Sequence, residues 1–163
     1  MSVVPEAMRT PFRGAGWFEG RQVAVDRAVP AGHPASAVLA ELGGLVLVEP
    51  APNICSIAFQ HVAEGAPFVA EWEAALGTKM VGIAKEDDGH SELHLTQSGQ
   101  VIGCSLVHPA CFLVGTTFEG AMNAIGRGER ASPMLLPAQD EVTLYGVTFR
   151  HGDEAVIGPA ELA

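Results

Sequence analysis

The chain of 163 residues has the length of one domain. Its composition, with 48% hydrophobic and only 17% charged residues, excludes wholesale disorder. Its formal net charge of −10 argues against nucleic acid or an anionic membrane as a direct ligand, because both need basic patches. The acidic surplus is regional. Residues 1–45 hold four acids and four bases, whereas the rest of the chain holds fifteen acids and five bases.

The compartment is predicted from what the sequence lacks. No apolar run approaches the roughly 18–20 residues of a membrane span, and the first residues lack the basic and apolar stretches of a secretion signal. Cys55, Cys104 and Cys111 are too few for a disulfide framework. We therefore expect a cytoplasmic protein with reduced thiols.

The first regular elements are predicted between residues 33 and 59. The segment 33–44 predicts a helix in which Pro34 takes the first position and Gly43 supplies a left-handed stop. Two β-rich segments, 45–49 and 53–59, are separated by prolines and predict neighbouring strands.

A second helix and a meander of three strands follow. Residues 67–77 begin with Pro and end with Gly, and apolar side chains recur at helical spacing. The predicted buried face of this helix consists of Phe68, Trp72, Ala75 and Leu76. Asp88-Gly89 and Ser98-Gly99 supply the positive φ that hairpin turns need. The strands that they connect are predicted at 79–85, 91–96 and 100–106.

The last third of the chain predicts one more helix and one more strand. Residues 116–128 fit a helix that begins with a capping box of Thr116 and Glu119. An extra strand is expected at 142–149 within the segment 131–150, and residues 151–163 are expected to fray. Helices interspersed with hairpins predict a single α+β domain over residues 1–163, with helices packed on a mostly antiparallel sheet.

The stretch AGWFEGR at 15–21 contains two glycines, an aromatic residue and an arginine. A phosphate-binding loop is not favoured, because the stretch has neither a preceding strand nor a following Lys. Packing is favoured: Trp17 fills the edge of the core, Gly16 and Gly20 permit turns, and Arg21 pairs with an acid or caps a carbonyl. Contact with a partner is the alternative, since Trp and Arg are common interface anchors.

A metal or catalytic site has little support. Four soft or borderline ligands are available, but their spacing matches no zinc pattern, and the alternative is that the cysteines are ordinary core residues. The four are His94, Cys104, His108 and Cys111. No local signature of a nucleophile with its base is present, so we expect no cofactor and no catalysis.

Acidic residues form the clearest charged feature. They cluster at the predicted tip between two strands and again near residue 140, where they are either a solvated turn or a negative patch that steers a basic partner. The predicted partner-facing set is Glu86, Asp87, Asp88, Glu92, Asp140 and Glu141. Calcium is not favoured, because three of these acids are adjacent rather than spaced as in a calcium loop.

Several motifs together resemble the third subfamily of the SUKH superfamily. AGWFEGR at 15–21 is followed by AVLAELGGLVLV, which contains Gly43-Gly44, and later by LHLTQSGQVIG and GTTFEGAMNAIGRG. The similarity spans about residues 12–130, departs at Leu42 where the family commonly has an aromatic residue, and does not cover the segment after 131.

The resemblance implies an α+β immunity protein with the fold of the yeast Smi and Knr regulators. Such a protein binds and neutralises a toxin, and many toxins of the family are nucleases. The acidic surplus agrees with occlusion of a basic protein cleft, with no nucleic acid or membrane as ligand. A peptide- or small-molecule-binding regulator is the alternative, and an enzyme is the third possibility. The sequence does not predict an oligomeric state.

Overall fold

A seven-stranded antiparallel sheet organises the chain in the computed structural model, which describes residues 1–162. Each strand pairs with the next one in the sequence, so the sheet is a continuous meander. The strands are β1 (Val46–Ala51), β2 (Ile54–Val62), β3 (Met80–Glu86), β4 (Ser91–Thr96), β5 (Val101–Ser105), β6 (Ala110–Gly115) and β7 (Ser132–Met134). A separate hairpin is formed by β8 (Glu141–Leu144) and β9 (Val147–Arg150).

Helices cover both faces of the sheet. They are α1 (Arg9–Gly14), α2 (Pro34–Leu42), α3 (Val69–Leu76) and α4 (Phe118–Gly126). The larger core lies on the face covered by α1, α2 and α4, where Phe12 and Leu42 pack with Phe59 of β2. On the opposite face, which we call the α3 face, Trp72 packs with Ile102 of β5. The predicted α+β domain with helices packed on an antiparallel sheet is confirmed.

The first predicted helix is confirmed, but its predicted stop is not. α2 begins at Pro34, and the His33 ring accepts a hydrogen bond of 3.1 Å from the Ala35 amide. Gly43 has φ −50°, and the left-handed residue is Gly44 with φ +83°. Gly43 serves close packing instead, since a Cβ there would lie 2.6 Å from the Leu39 carbonyl oxygen.

Strands β1 to β5 and helix α3 match their predictions within a few residues, and Gly77 ends α3 in the left-handed region as expected. Ala75 is exposed, so its prediction on the buried face was wrong. α4 is also confirmed, but its cap is Thr117, whose Oγ1 accepts a 3.0 Å hydrogen bond from the Gly120 amide. The N-cap is therefore displaced by one residue, and the predicted capping box of Thr116 and Glu119 is not formed.

The extra segment folds differently from its prediction. Tyr145 and Gly146 have φ of 55° and 73°, so the chain reverses there and the expected single strand 142–149 is the β8–β9 hairpin. β6 and β7 were not predicted.

The segment 151–162 is bound to the sheet, in contrast to the expected frayed tail. Ile157 bridges to Met134 of β7, and its amide donates a 2.9 Å hydrogen bond to the Pro133 carbonyl. The Gln100 side-chain amide donates to the Leu162 carbonyl at 2.8 Å. Ala163, the last residue of that prediction, lies outside the described residues.

The AGWFEGR stretch acts as a packing device, as predicted. Trp17 is buried, and its Nε1 donates a 2.8 Å hydrogen bond to the Glu41 carboxylate. Arg21 donates to the carbonyl oxygens of Glu41 and Gly43, and so caps the end of α2. Gly16 and Gly20 have φ of 98° and 80°, which permits the turns on either side.

Glu41 is the centre of this anchor. Its carboxylate also accepts hydrogen bonds from the Ser2 hydroxyl and, at 2.9 Å, from the Val3 amide. Burial favours the neutral acid, but these bonds outweigh it and lower the pKa of Glu41. One buried carboxylate therefore ties the N-terminal segment and the Trp17 loop to α2.

We expect Glu41→Ala to destabilise the protein by about 3 kcal/mol, because a charged acceptor is lost and the Trp17 Nε1–H is left buried without a partner. Urea unfolding followed by tryptophan fluorescence measures this loss. The exposed Glu19→Ala is the matched control, for which we expect a change within about 0.5 kcal/mol. Equal stability of the two variants would contradict the role of Glu41.

Candidate functional site

Three turns of the meander lie at one end of the sheet, which we call the hairpin end. They are the β1–β2 turn at 52–53, the β3–β4 turn at 87–90 and the β5–β6 turn at 106–109. The strand register places them together, because Glu86 pairs with Ile57 and Ser91, and Ser91 pairs with Ser105. The Leu106 amide also donates a 2.8 Å hydrogen bond to the His90 carbonyl.

The six predicted acids do not form one surface. Glu86 pairs with Ser91, whereas Glu92 pairs with Lys85 in the neighbouring row. Because directly paired residues share a face and successive rows alternate, Glu86 and Glu92 point to opposite faces of the sheet. Both side chains are buried, so the expectation that they lie on the exposed surface was wrong.

Glu92 belongs to a buried pair on the α3 face. Its Oε2 lies 3.0 Å from the His94 Nε2 and accepts a hydrogen bond of 3.2 Å from the Ala66 amide. Burial alone would raise the pKa of Glu92, but the contacts with His94 and Ala66 outweigh it and lower the pKa. The Glu92 carboxylate is thus satisfied internally and contributes no free surface charge.

Asp87 and Asp88 remain at the hairpin end. The Asp87 Oδ1 accepts hydrogen bonds from the amides of Cys55 at 2.7 Å and Ser56 at 3.2 Å, which ties the β3–β4 turn to β2. Asp88 is exposed and adopts φ 58°, a conformation that Asp tolerates better than most residues. Asp88 is therefore the free carboxylate of this turn, and Asp87 has a structural task.

Asp140 and Glu141 lie at the opposite end of strand β8 from the β8–β9 turn. Both are exposed, and Glu141 accepts a 2.9 Å hydrogen bond from the Arg150 guanidinium. Leu144 lines the same cavity as Asp87, and Glu141 lies three positions before Leu144 along the strand, which corresponds to roughly 10 Å. These two acids are therefore set apart from Asp88, and one of them is neutralised by an ion pair.

Glu86 faces a cavity of about 150 Å³ beneath the β8–β9 turn. The side chain is only 7% exposed, and among residues 1–162 its carboxylate has neither a hydrogen-bond nor an ionic partner. Burial, together with the negative charge of Asp87, raises the pKa of Glu86 to about 7. An uncompensated buried carboxylate is costly to the fold, and such groups are characteristic of functional sites.

Large apolar side chains are exposed in the β5–β6 turn and at the β8–β9 turn. Leu106 and Val107 lie in the β5–β6 turn, and Val107 is 58% exposed. Tyr145 and Val147 lie in and beside the β8–β9 turn, and Tyr145 lines the Glu86 cavity. Exposed apolar residues next to charged ones are the composition of a protein contact surface.

The suspected metal ligands do not converge. The sulfur atoms of Cys104 and Cys111 lie 3.2 Å apart in the buried core, whereas His108 is exposed in the β5–β6 turn and His94 contacts Glu92. Within the described part of the chain, no three His, Cys, Asp or Glu side chains are grouped so as to hold a metal ion.

Sequence reasoning missed the exposed apolar residues of the turns and the burial of Glu86. Leu106 and Val107 were assigned to the end of a strand and to its flank, although the following His108-Pro109 indicates a turn. Tyr145 was placed inside a strand, although Tyr145-Gly146 carries a turn signal in its glycine. No local pattern marks Glu86 as buried, because burial follows from the covering hairpin.

A comparison with protein families identifies the family to which this chain belongs. The family model described as SUKH-3 immunity protein matches residues 4–128. The chain belongs to the SUKH-3 family. The resemblance expected from the sequence is confirmed, and membership implies immunity towards a protein toxin. No curated protein and no solved structure matches the chain.

The SUKH-3 match divides the candidate site into two parts. Strands β1 to β6 and helix α4 lie within residues 4–128, whereas the β8–β9 hairpin lies beyond them. Glu86 and the exposed β5–β6 turn thus belong to the family body, and Tyr145 belongs to the extra segment. No helix among residues 1–162 combines the length and apolar character needed to cross a membrane.

We expect Glu86→Gln to remove a pH dependence of stability from this SUKH-3 protein. Glu86 loses its proton near 4.5 when unfolded and at about 7 when folded. Below pH 4.5 both states are protonated. Between pH 4.5 and pH 7, rising pH lowers the free energy of unfolding, because the folded state holds its proton more tightly. Above pH 7 this decrease amounts to about 3 kcal/mol.

Urea unfolding from pH 4 to pH 8 measures this effect. The variant should gain about 3 kcal/mol relative to the unmodified protein as the pH rises from 4 to 8. Asp88→Asn, which removes an exposed acid from the same turn, should follow the unmodified protein. Parallel pH profiles for Glu86→Gln and the unmodified protein would show that Glu86 titrates normally.

Proposed function

We propose that this SUKH-3 protein neutralises a cognate toxin by stoichiometric occlusion in the cytoplasm, with the hairpin end as the contact surface. The observation that carries the proposal is the combination of exposed Val107 and Tyr145 with Asp88 and the buried Glu86. Both faces of the sheet are covered by helices or by the chain's C-terminal part, so the end of the sheet offers the surface for a partner.

The net charge of −10 favours a basic partner. A nuclease has a basic cleft for its nucleic acid substrate, and an acidic protein that fills this cleft blocks it without turnover. In this proposal Asp88 steers the encounter, and the apolar turn residues provide the packed centre of the contact. Asp87 adds negative charge, while Asp140 and Glu141 lie outside the contact.

The apolar centre is tested by the variant Val107→Asp. The toxin is first captured from the host with the tagged protein, identified, and expressed in a test strain whose growth it arrests. We expect the unmodified protein to restore growth and Val107→Asp to fail, because a charge at the centre of a packed contact is desolvated without a partner.

Val48→Asp is the matched control for this experiment. Val48 is 73% exposed in the edge strand β1, away from the β5–β6 turn. The Val48→Asp variant makes the same chemical change at a distant position and should preserve protection of growth against the toxin. Loss of protection with both variants, or with neither, would contradict the hairpin end as the contact. Failure of the unmodified protein to restore growth would contradict the immunity proposal itself.

The steering role is tested by Asp88→Asn, since Asn also tolerates positive φ. We expect association with the captured toxin to slow severalfold at low salt, and the difference to vanish at high salt as the field is screened. Stopped-flow fluorescence measures the rate. Glu71→Gln removes an equally exposed acid from α3 and should leave the rate unchanged. Equal rates for both variants at low salt would remove Asp88 from the encounter surface.

A peptide- or small-molecule-binding regulator is the second candidate function. It is favoured by a groove of about 500 Å³ between α3 and the ends of β2 and β3, which His61, Lys79 and His94 line. Ala70 is exposed on this groove, and Ala70→Trp would block it. Loss of growth protection with Ala70→Trp but not with Val107→Asp would favour the groove over the hairpin end.

A further inference from the structure

The cavity beneath Tyr145 has a polar floor that is built into the sheet. Glu86, Ser91 and Ser105 are paired across three adjacent strands and therefore point to the same face. All three line the cavity, and Glu86 is the one that is almost fully buried. The floor thus presents a carboxylate beside the Ser91 hydroxyl, with the Ser105 hydroxyl one strand further away.

No cation among residues 1–162 pairs with this carboxylate. In the part of the chain that the structure describes, no Lys, Arg or His lines the cavity. Arg127 pairs with Glu129, and Arg130 lies over the Tyr145 ring, 5.2 Å from its centroid. The charged neighbour that affects Glu86 is Asp87, which is also negative. Within residues 1–162 the lining therefore offers no positive charge to this carboxylate, so a cation from a partner would complete the site.

The walls of the cavity are apolar and leave room for one narrow group. Ile54, Phe112, Ile125 and Leu144 surround the floor. The Phe112 ring lies directly on Gly103, where a Cβ would come within 1.9 Å of the ring, so this glycine lets Phe112 form the wall. A cavity of about 150 Å³ accommodates a molecule the size of benzene, and hence the end of one long side chain.

Tyr145 forms the roof. It adopts φ 55° at the β8–β9 turn, and its hydroxyl accepts a 3.0 Å hydrogen bond from the Ala131 amide. The ring is 41% exposed, so the roof borders solvent and the exposed surface of the hairpin end. Both Ala131 and Tyr145 lie beyond the residues that match the SUKH-3 family.

We propose that this cavity is a socket for one basic side chain of the toxin, whose ammonium or guanidinium group binds Glu86. This proposal rests on the proposed function, and it requires that the toxin presents a Lys or Arg side chain at the contact. The aliphatic stem of a Lys or Arg contacts the apolar walls while the charged end reaches the carboxylate and the hydroxyls of Ser91 and Ser105. The Tyr145 roof, which the extra segment supplies, shapes the entrance for this particular partner.

The socket is tested first without the toxin, with n-butylammonium and n-propylguanidinium chloride as probes. In protein labelled with ¹³C at the glutamate carboxyls, the pH midpoint of the Glu86 signal is measured. A probe at about ten times its dissociation constant should lower this midpoint by about one pH unit, because it binds the charged form. Tetramethylammonium, which donates no hydrogen bond, should leave the midpoint in place.

Ser91→Leu provides the matched cavity control. The new side chain fills the space beside Glu86, and unchanged circular dichroism confirms that the variant folds. The probes should then no longer shift the Glu86 midpoint. The same midpoint with and without the two probes in the unmodified protein would overturn the socket, as would an equal shift by tetramethylammonium or an undiminished shift in Ser91→Leu.

A second experiment uses the complex with the captured toxin. Glu86→Gln should raise the dissociation rate at least tenfold, whereas Asp88→Asn should alter mainly the association rate. A complex that forms and dissociates normally with Glu86→Gln would overturn the socket and leave occlusion intact. If the probes shift Glu86 but no toxin binds, the proposed function fails and the toxin side chain is excluded as the occupant.

Discussion

The alternation of side chains along a strand, in a sheet that is covered on both faces, constrains everything else in this protein. Phe59 points into the larger core and Ile102 into the α3 face, so the central strands bury side chains on both faces of the sheet. Turns at the sheet ends escape this burial and can vary in sequence without loss of the core. The proposed contact therefore lies at an end of the sheet, and the hairpin end carries both charge and exposed apolar side chains.

The same alternation explains how much of the site the sequence could predict. Strands β3, β4 and β5 were predicted because β-rich runs are punctuated by glycine turns, and α2 and α3 because Pro and Gly mark their ends. β6 was missed since a strand buried on both faces reads as a short apolar run without alternation. The six predicted acids do not share one surface. Glu86 and Glu92 are close in sequence, but the register of β3 and β4 places them on opposite faces of the sheet.

Other features depended on contacts that are remote in sequence. Glu41 lies in the last turn of α2, and nothing in its local pattern shows that Ser2, Val3 and Trp17 donate to its carboxylate. The C-terminal segment was expected to fray because it is polar and rich in turn residues, yet Ile157 pairs beside β7. Local sequence propensity does not predict such pairings, because the backbone hydrogen bonds between this segment and β7 depend on a sheet formed by remote residues.

Burial of the Glu86 carboxylate destabilises the fold of the family body, residues 4–128. In the proposed socket, the extra segment gives this buried carboxylate a binding role. Residues 4–128 supply the carboxylate of Glu86 and the hydroxyls of Ser91 and Ser105, while Leu144 and Tyr145 of the β8–β9 hairpin line the same cavity. A carboxylate in water gains little from one more cation, but a carboxylate held in an apolar cavity gains much more. In the proposed socket, covering the floor with Tyr145 would therefore convert an ordinary surface acid into a selective contact. A change in this hairpin would alter the partner without disturbing the sheet, because the larger core is built without it.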